Sequence, residues 1–143
     1  MIAVDTNLLV HAHRAESPFH AVAADRMTTL AESVVAWAIP WPCLYEFYNV
    51  VTHPRIHVVP TPTEAALDQI DAWLESPSLN LLSETPDQWP QLRELIARAR
   101  LQGPIVHDAR IAALCLTHGV RELWSADRDF GRFPALRVRN PLV

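Results

Sequence analysis

Apolar residues recur along the chain in two spacings. Short unbroken runs occur in "IAVD" (2–5), "VVAWAI" (34–39), "LNLLS" (79–83) and "ELWSA" (122–126), lengths that suit buried strands. "LRVRNP" (136–141) reads as a last, edge-like strand. Between them the apolar positions fall at helical intervals. "TNLLVHAHRA" follows Asp5 with Thr6 as its N-cap, and "PFHAVAADRMTTLAE" has Pro18 in its first turn. "CLYEFYNVVTH" is opened by Pro40 and Pro42 and ends before Pro54; Val58 and Val59 then lie in a Pro-flanked connector. "TEAALDQIDAWLES", "PDQWPQLRELIARARL" (starting near Pro90) and "IVHDARIAALCLTHGV" complete the helices, Gly119 closing the last.

Strands that alternate with helices and read as continuous apolar runs predict an α/β fold. The expected form is a three-layer α/β/α sandwich with a mostly parallel central sheet. No repeat, low-complexity tract or linker interrupts the 143 residues, so a single domain spanning 1–143 is expected. In such folds sites form beyond the carboxyl ends of the strands, near a reversal of strand order. Asp5 and the pair Asp127 and Asp129 fall at such ends.

Composition narrows the chemistry. All twelve basic residues are arginine, which excludes functions that need a lysine, such as P-loop NTPases and Schiff-base enzymes. The two cysteines, Cys43 and Cys115, lie in apolar helical patterns and read as buried thiols of a reducing, cytoplasmic compartment. No apolar run approaches the ~20 residues of a membrane span. The opening "MIAVDTNLLV" has no basic stretch and reaches an acid at position 5, unlike a secretory leader.

The acids carry the functional signal. Glu46 lies inside an otherwise apolar helix, with Cys43, Phe47 and Val50 as its i−3, i+1 and i+4 neighbours. Asp108, near the start of its helix, shares a face with Ile111, Ala112 and Cys115. Singly, Asp108 reads as a capping acid, Glu46 as an edge acid paired with arginine, and Asp127 and Asp129 as turn residues. Together, Asp5, Glu46, Asp108, Asp127 and Asp129 all fall at strand ends or on core-side helix faces. Glu64, Asp68, Asp71, Glu75, Asp87 and Glu94 instead sit among polar neighbours and read as solvated surface. The net charge is −4, and without the five clustered acids eleven acids face twelve arginines, so the net acidity resides in the cluster. Converging carboxylates with no lysine call for a hard cation, Mg²⁺ or Mn²⁺, and the seven histidines show no zinc-ligand spacing.

"VDTNLLV", an isolated Glu46, "HDARIAAL" and "WSADRDF", in that order, together with "THPRI" (52–56), resemble the PIN domain, specifically the VapC toxin branch of type II toxin–antitoxin systems. The resemblance runs from residue 4 to the C-terminus. It implies an α/β/α sandwich and an Mg²⁺- or Mn²⁺-dependent endoribonuclease holding one or two ions per active site. The family's acids map onto Asp5, Glu46, Asp108 and Asp127, with Asp129 as the common fifth; its polar residues near the metal map onto Thr6 or Asn7 and onto Ser125. Asp5, Asp108 and Asp127 are the expected metal ligands. Glu46 is expected to take a proton from water or to hold a second ion, and Asp129 to be more peripheral than Asp127.

The resemblance further implies an RNA substrate, a VapB-type antitoxin and a homodimer. Arg14, Arg110, Arg128 and Arg132 are candidates for holding the RNA backbone, and Trp41 and Trp73 for lining an interface. The alternative is a non-catalytic PIN-like module that binds RNA or protein. The intact acids oppose it, because carboxylates repel phosphates unless a cation bridges them. A phosphatase using Asp5 as nucleophile is opposed by the missing lysine and by the lack of an acid two residues after Asp5.

Overall fold

A computed structural model describes all 143 residues. Five strands, β1 (Ile2–Val4), β2 (Trp37–Pro40), β3 (Leu79–Leu82), β4 (Glu122–Trp124) and β5 (Val138–Arg139), form one sheet in the order β3-β2-β1-β4-β5. All four pairings are parallel, with Ala3 opposite Ala38 on one side and Leu123 on the other. Six helices connect them: α1 (Thr6–His13), α2 (His20–Glu32), α3 (Trp41–Thr52), α4 (Thr63–Leu74), α5 (Gln88–Ala99) and α6 (Val106–Thr117). The chain runs from β1 through β2 to β3 by way of α1–α4, then back across to β4 by way of α5 and α6; the right-handedness of parallel crossovers places these two sets of helices on opposite faces. Helix packing follows this division: α1 on α2 and α3, α3 on α4, α5 on α6. The sandwich expected from the alternating pattern is the fold observed. No helix is long and apolar enough to cross a membrane.

Several boundaries differ from the pattern. Asp5, not Thr6, is the N-cap of α1, and its carboxylate makes no cap bond. The second helix starts at His20, two residues beyond Pro18. Strand β2 starts at Trp37, because the Ser33 hydroxyl accepts the Val35 N–H at 3.0 Å and turns the chain there. Val34 and Val35 are consequently exposed. The last strand is two residues long, on the sheet edge. Helix α6 ends as read, in a Schellman closure: Gly119 (φ +67°) donates to Leu116 O and Val120 to Cys115 O.

The core lies on both sides of β1, β2 and β4, where Ala3, Val4, Ala38, Ile39 and Leu123 are fully buried. Trp37, Trp73 and Trp124 are core residues. Trp73 packs edge-on against Phe47 with centroids 4.8 Å apart, which corrects its reading as an interface residue. Its position matches the apolar stripe of α4 and not the polar one.

Candidate active site

Strand order reverses between β1 and β4, and the chain leaves both at the same edge of the sheet. Asp5 follows β1 directly, its N–H donating to Trp124 O at 3.0 Å. Ser125 follows β4 and lies beside it. The Ser125 hydroxyl donates to Asp5 Oδ2 at 2.7 Å and accepts the Asn7 amide at 3.1 Å and the Asp127 N–H at 3.0 Å. Asn7 Nδ2 also donates to Asp5 Oδ2 at 3.0 Å, while its Oδ1 accepts the Ala126 N–H at 3.0 Å. These bonds stitch the ends of the two strands together and fix the Asp5 side chain. Freed from capping α1, that carboxylate turns toward the cleft above the sheet.

Asp5, Glu46, Asp108 and Asp127 line one cleft of about 300 Å³, together with Thr6, Asn7 and His11. Glu46 comes from the exposed edge of the α3 stripe and is held by the Thr6 hydroxyl, 3.0 Å from Oε2. Asp108 enters from the first turn of α6, where free N–H groups favour negative charge. Asp127 caps a 3₁₀ turn, Arg128–Arg132, by accepting the Asp129 N–H at 2.8 Å. That turn folds Asp129 back, so that carboxylate oxygens of Asp108, Asp127 and Asp129 lie within 4.8 Å of one another. Asp129 is exposed, whereas Asp127 is half-buried.

The electrostatics follow from burial and like charge. Desolvation raises the Asp5 carboxyl above its usual value; donation by Ser125 and the Thr6 N–H opposes this, and Glu46 adds to it. Partial burial, then the charges of Asp127, Asp5, Asp129 and Glu46, push Asp108 up to about 6. Burial also lowers His11, whose Nδ1 lies 2.6 Å from Ser17 Oγ, which favours its neutral form. The cleft therefore collects negative charge with no cation of the chain inside it.

The donor set is all oxygen. The one nearby sulfur, Cys43, is buried beneath Asp5 with its thiol 3.5 Å from Oδ1, and burial pushes it well above the usual thiol range. It acts as a weak donor to the carboxylate, not as a thiolate ligand. Sequence reading placed Cys43 in the core but missed this contact, since apolar neighbours look alike above and below a carboxylate. The proposed rim arginines separate. Arg14 is turned away to the 53–62 connector, donating to Val59 O at 2.8 Å and Thr61 Oγ1 at 3.1 Å. Arg132 lines a different groove, against Gln91 and Leu95 of α5. Arg110 lies outside the cleft, on the wall of an adjoining hollow and paired with Glu84, and Arg128 is exposed next to Asp127.

The PIN domain family matches residues 2–136, and the chain belongs to it. Within that family it falls among the VapC ribonucleases. It is 34% identical over 141 residues to Ribonuclease VapC48 of Mycobacterium tuberculosis, covering 96% of this chain and 94% of the relative. It is 36% identical over 142 residues to Ribonuclease VapC43 of the same organism, covering 99% and 96%. Its fold is also that of M. tuberculosis VapC20, described as a sarcin–ricin loop cleaving toxin (TM-score 0.67, 21% identity, 92% and 93% of the two chains). A second structural likeness is to VapBC2 from Rickettsia felis bound to a promoter DNA fragment (TM-score 0.72, 20% identity, 98% of each chain).

Proposed function

We propose that this chain is a metal-dependent endoribonuclease, the toxin of a VapBC toxin–antitoxin pair, which hydrolyses RNA phosphodiester bonds and so inhibits translation and growth. The observation that carries the reading is the convergence of Asp108, Asp127 and Asp129 within 4.8 Å, beside the buried Asp5, in a cleft without a cation of its own. Carboxylate oxygens of this number suit a hard divalent ion, Mg²⁺ or Mn²⁺, one or two per site. Asp5, Asp108 and Asp127 are assigned to hold it. When bound, such an ion acidifies water and offsets charge on the phosphate and leaving oxygen.

The chain's own groups do the rest. Ser125 and Asn7 hold the Asp5 carboxylate in one orientation, which spares the site reorganisation during the reaction. Thr6 occupies Oε2 of Glu46, leaving Oε1 to accept a proton from the attacking water. Asp129, more exposed, is assigned to the periphery of the same cluster. A non-catalytic module is disfavoured, because five carboxylates without a cation repel an RNA backbone.

The names and complexes of the relatives support a VapB-type antitoxin as partner; a homodimer, a cytoplasmic location and a single domain over 1–143 complete the proposal. The test is incubation of the purified chain with total RNA. Cleavage is expected with Mg²⁺ or Mn²⁺ and not with EDTA, and Asp108→Asn is expected to cut no RNA. Cleavage that persists in EDTA would overturn the reading.

A further inference from the structure

The acidic cleft continues into a second hollow of about 410 Å³ that shares Asp5, Glu46 and Asp108 with it. That volume lies within the range of small-ligand sites, about 300–1,000 Å³. Its far wall is unlike the acidic side. Tyr45 stands there with 65% of its surface exposed, on the first turns of α3. Its ring is stacked on Trp41, centroids 5.9 Å apart and planes inclined by 23°. Trp41 is half-buried against the core, so it backs the tyrosine ring and limits its motion. Asn49, one helical turn beyond Tyr45 and therefore on the same side of α3, is exposed in the same hollow. Arg110 closes the wall in its pair with Glu84.

An exposed aromatic ring has a hydration cost, and nothing in the chain covers the outer face of this one. Its neighbours suit one kind of occupant. A flat π-face held rigid from behind, with a free amide beside it, is the chemistry that binds an unstacked nucleobase: the ring by stacking, the base edge by hydrogen bonds. The carboxylates assigned to the reaction border the same hollow, so a base seated there belongs to a nucleotide next to the phosphate being cut. We propose that Tyr45, backed by Trp41, and Asn49 form a nucleobase subsite that seats one unpaired base of a single-stranded RNA. This rests on the ribonuclease reading. Tyr45 acts here as a substrate-contacting residue, and Trp41 as a positioning residue behind it.

The test measures binding, separately from cleavage. Fluorescence anisotropy would compare Asp108→Asn protein, alone and combined with Tyr45→Phe or Tyr45→Leu, in Mg²⁺. The probes are a labelled ten-nucleotide RNA of mixed sequence and an abasic strand of the same length. Stacking of one base on an aromatic ring corresponds to roughly a 5- to 150-fold effect on affinity. The expected result is that Tyr45→Phe binds the RNA as the parent does, Tyr45→Leu binds it weaker by a factor in that range, and all three bind the abasic strand alike. Equal binding of RNA by the parent and by Tyr45→Leu, or equal binding of both strands by the parent, would overturn the subsite. So would a Tyr45→Leu variant whose sedimentation shows a changed oligomeric state, since the ring would then be a contact between copies. Failure of the wild-type chain to cut RNA in Mg²⁺ or Mn²⁺, with Tyr45-dependent binding intact, would remove the nuclease reading and leave the subsite. Cleavage indifferent to Tyr45 would do the reverse.

Discussion

Ser125 and Asp5, 120 residues apart in the chain, meet at 2.7 Å through a hydrogen bond that closes the gap between the ends of β4 and β1. The serine hydroxyl is fully used, donating once and accepting twice, from Asn7 and Asp127. Ser125→Ala removes a donor from a buried carboxylate, and a lost bond to a charged group costs about 1.5–3 kcal/mol. The expected outcome is a lower urea midpoint. Activity should fall roughly 10- to 100-fold, the usual effect of losing a group that orients a metal-binding side chain. A variant as stable and active as wild type would show that Asp5 needs no such support.

The acidity of Asp108 sets a pH dependence. Its carboxyl lies at about 6 in the folded chain against an ordinary 3.8. Between these values the folded chain keeps a proton that the unfolded chain has released, so rising pH removes stability across that window. Asp108→Asn cannot lose that proton. Without metal, the variant should therefore gain on wild type as pH rises from about 4 to 6, and hold a constant advantage above. Denaturant titrations of both proteins in EDTA across that range check the sign; an advantage that shrinks with pH would contradict it.

Asp127 and Asp129 should be unequal. Asp127 lines the cleft with Asp5 and Glu46 and also caps the following turn. Asp129 is exposed and joins only through the folded-back turn. Asp127→Asn keeps an oxygen for the cap and loses the charge, so its effect falls on activity. Asp127→Ala loses the cap as well, costing about 1 kcal/mol more stability. RNA cleavage should fall further in Asp127→Asn than in Asp129→Asn, and high Mn²⁺ should partly restore only the latter. Equal losses without rescue would place both carboxylates on the ion.

The surface acids provide the contrast. Asp71 and Glu75 are exposed on and just after α4 and line no part of the cleft. Asp71→Asn and Glu75→Gln should leave the cleavage rate within about twofold of wild type, since neither touches an acid of the site. A loss comparable to that of Asp5→Asn would mean the partition of acids is wrong.

How much of this was legible depended on range. Asp5 and Asp127 stand directly after apolar runs, and a parallel sheet puts such positions at one edge, so local pattern sufficed. Glu46 showed itself as an acid bordering an apolar stripe. The role of Cys43 was hidden, because its contact with Asp5 arises only when α3 packs against β1. Asp129 was ambiguous for another reason: extended and turned backbones aim it differently, and only the 3₁₀ turn brings it to Asp108. Val34 and Val35 misled, since two β-branched residues before a strand look like strand until Ser33 turns the chain.

The central claim is that these carboxylates converge in order to hold a divalent cation. Calorimetric titration of Mn²⁺ into the wild-type chain, Asp108→Asn, Asp127→Asn and Asp71→Asn tests it directly. The account predicts saturable binding by wild type and Asp71→Asn, weakened at least about 100-fold in the other two, beyond the effect of losing a merely orienting group. No saturable binding by wild type, or an Asp108→Asn titration that matches it, would contradict the account.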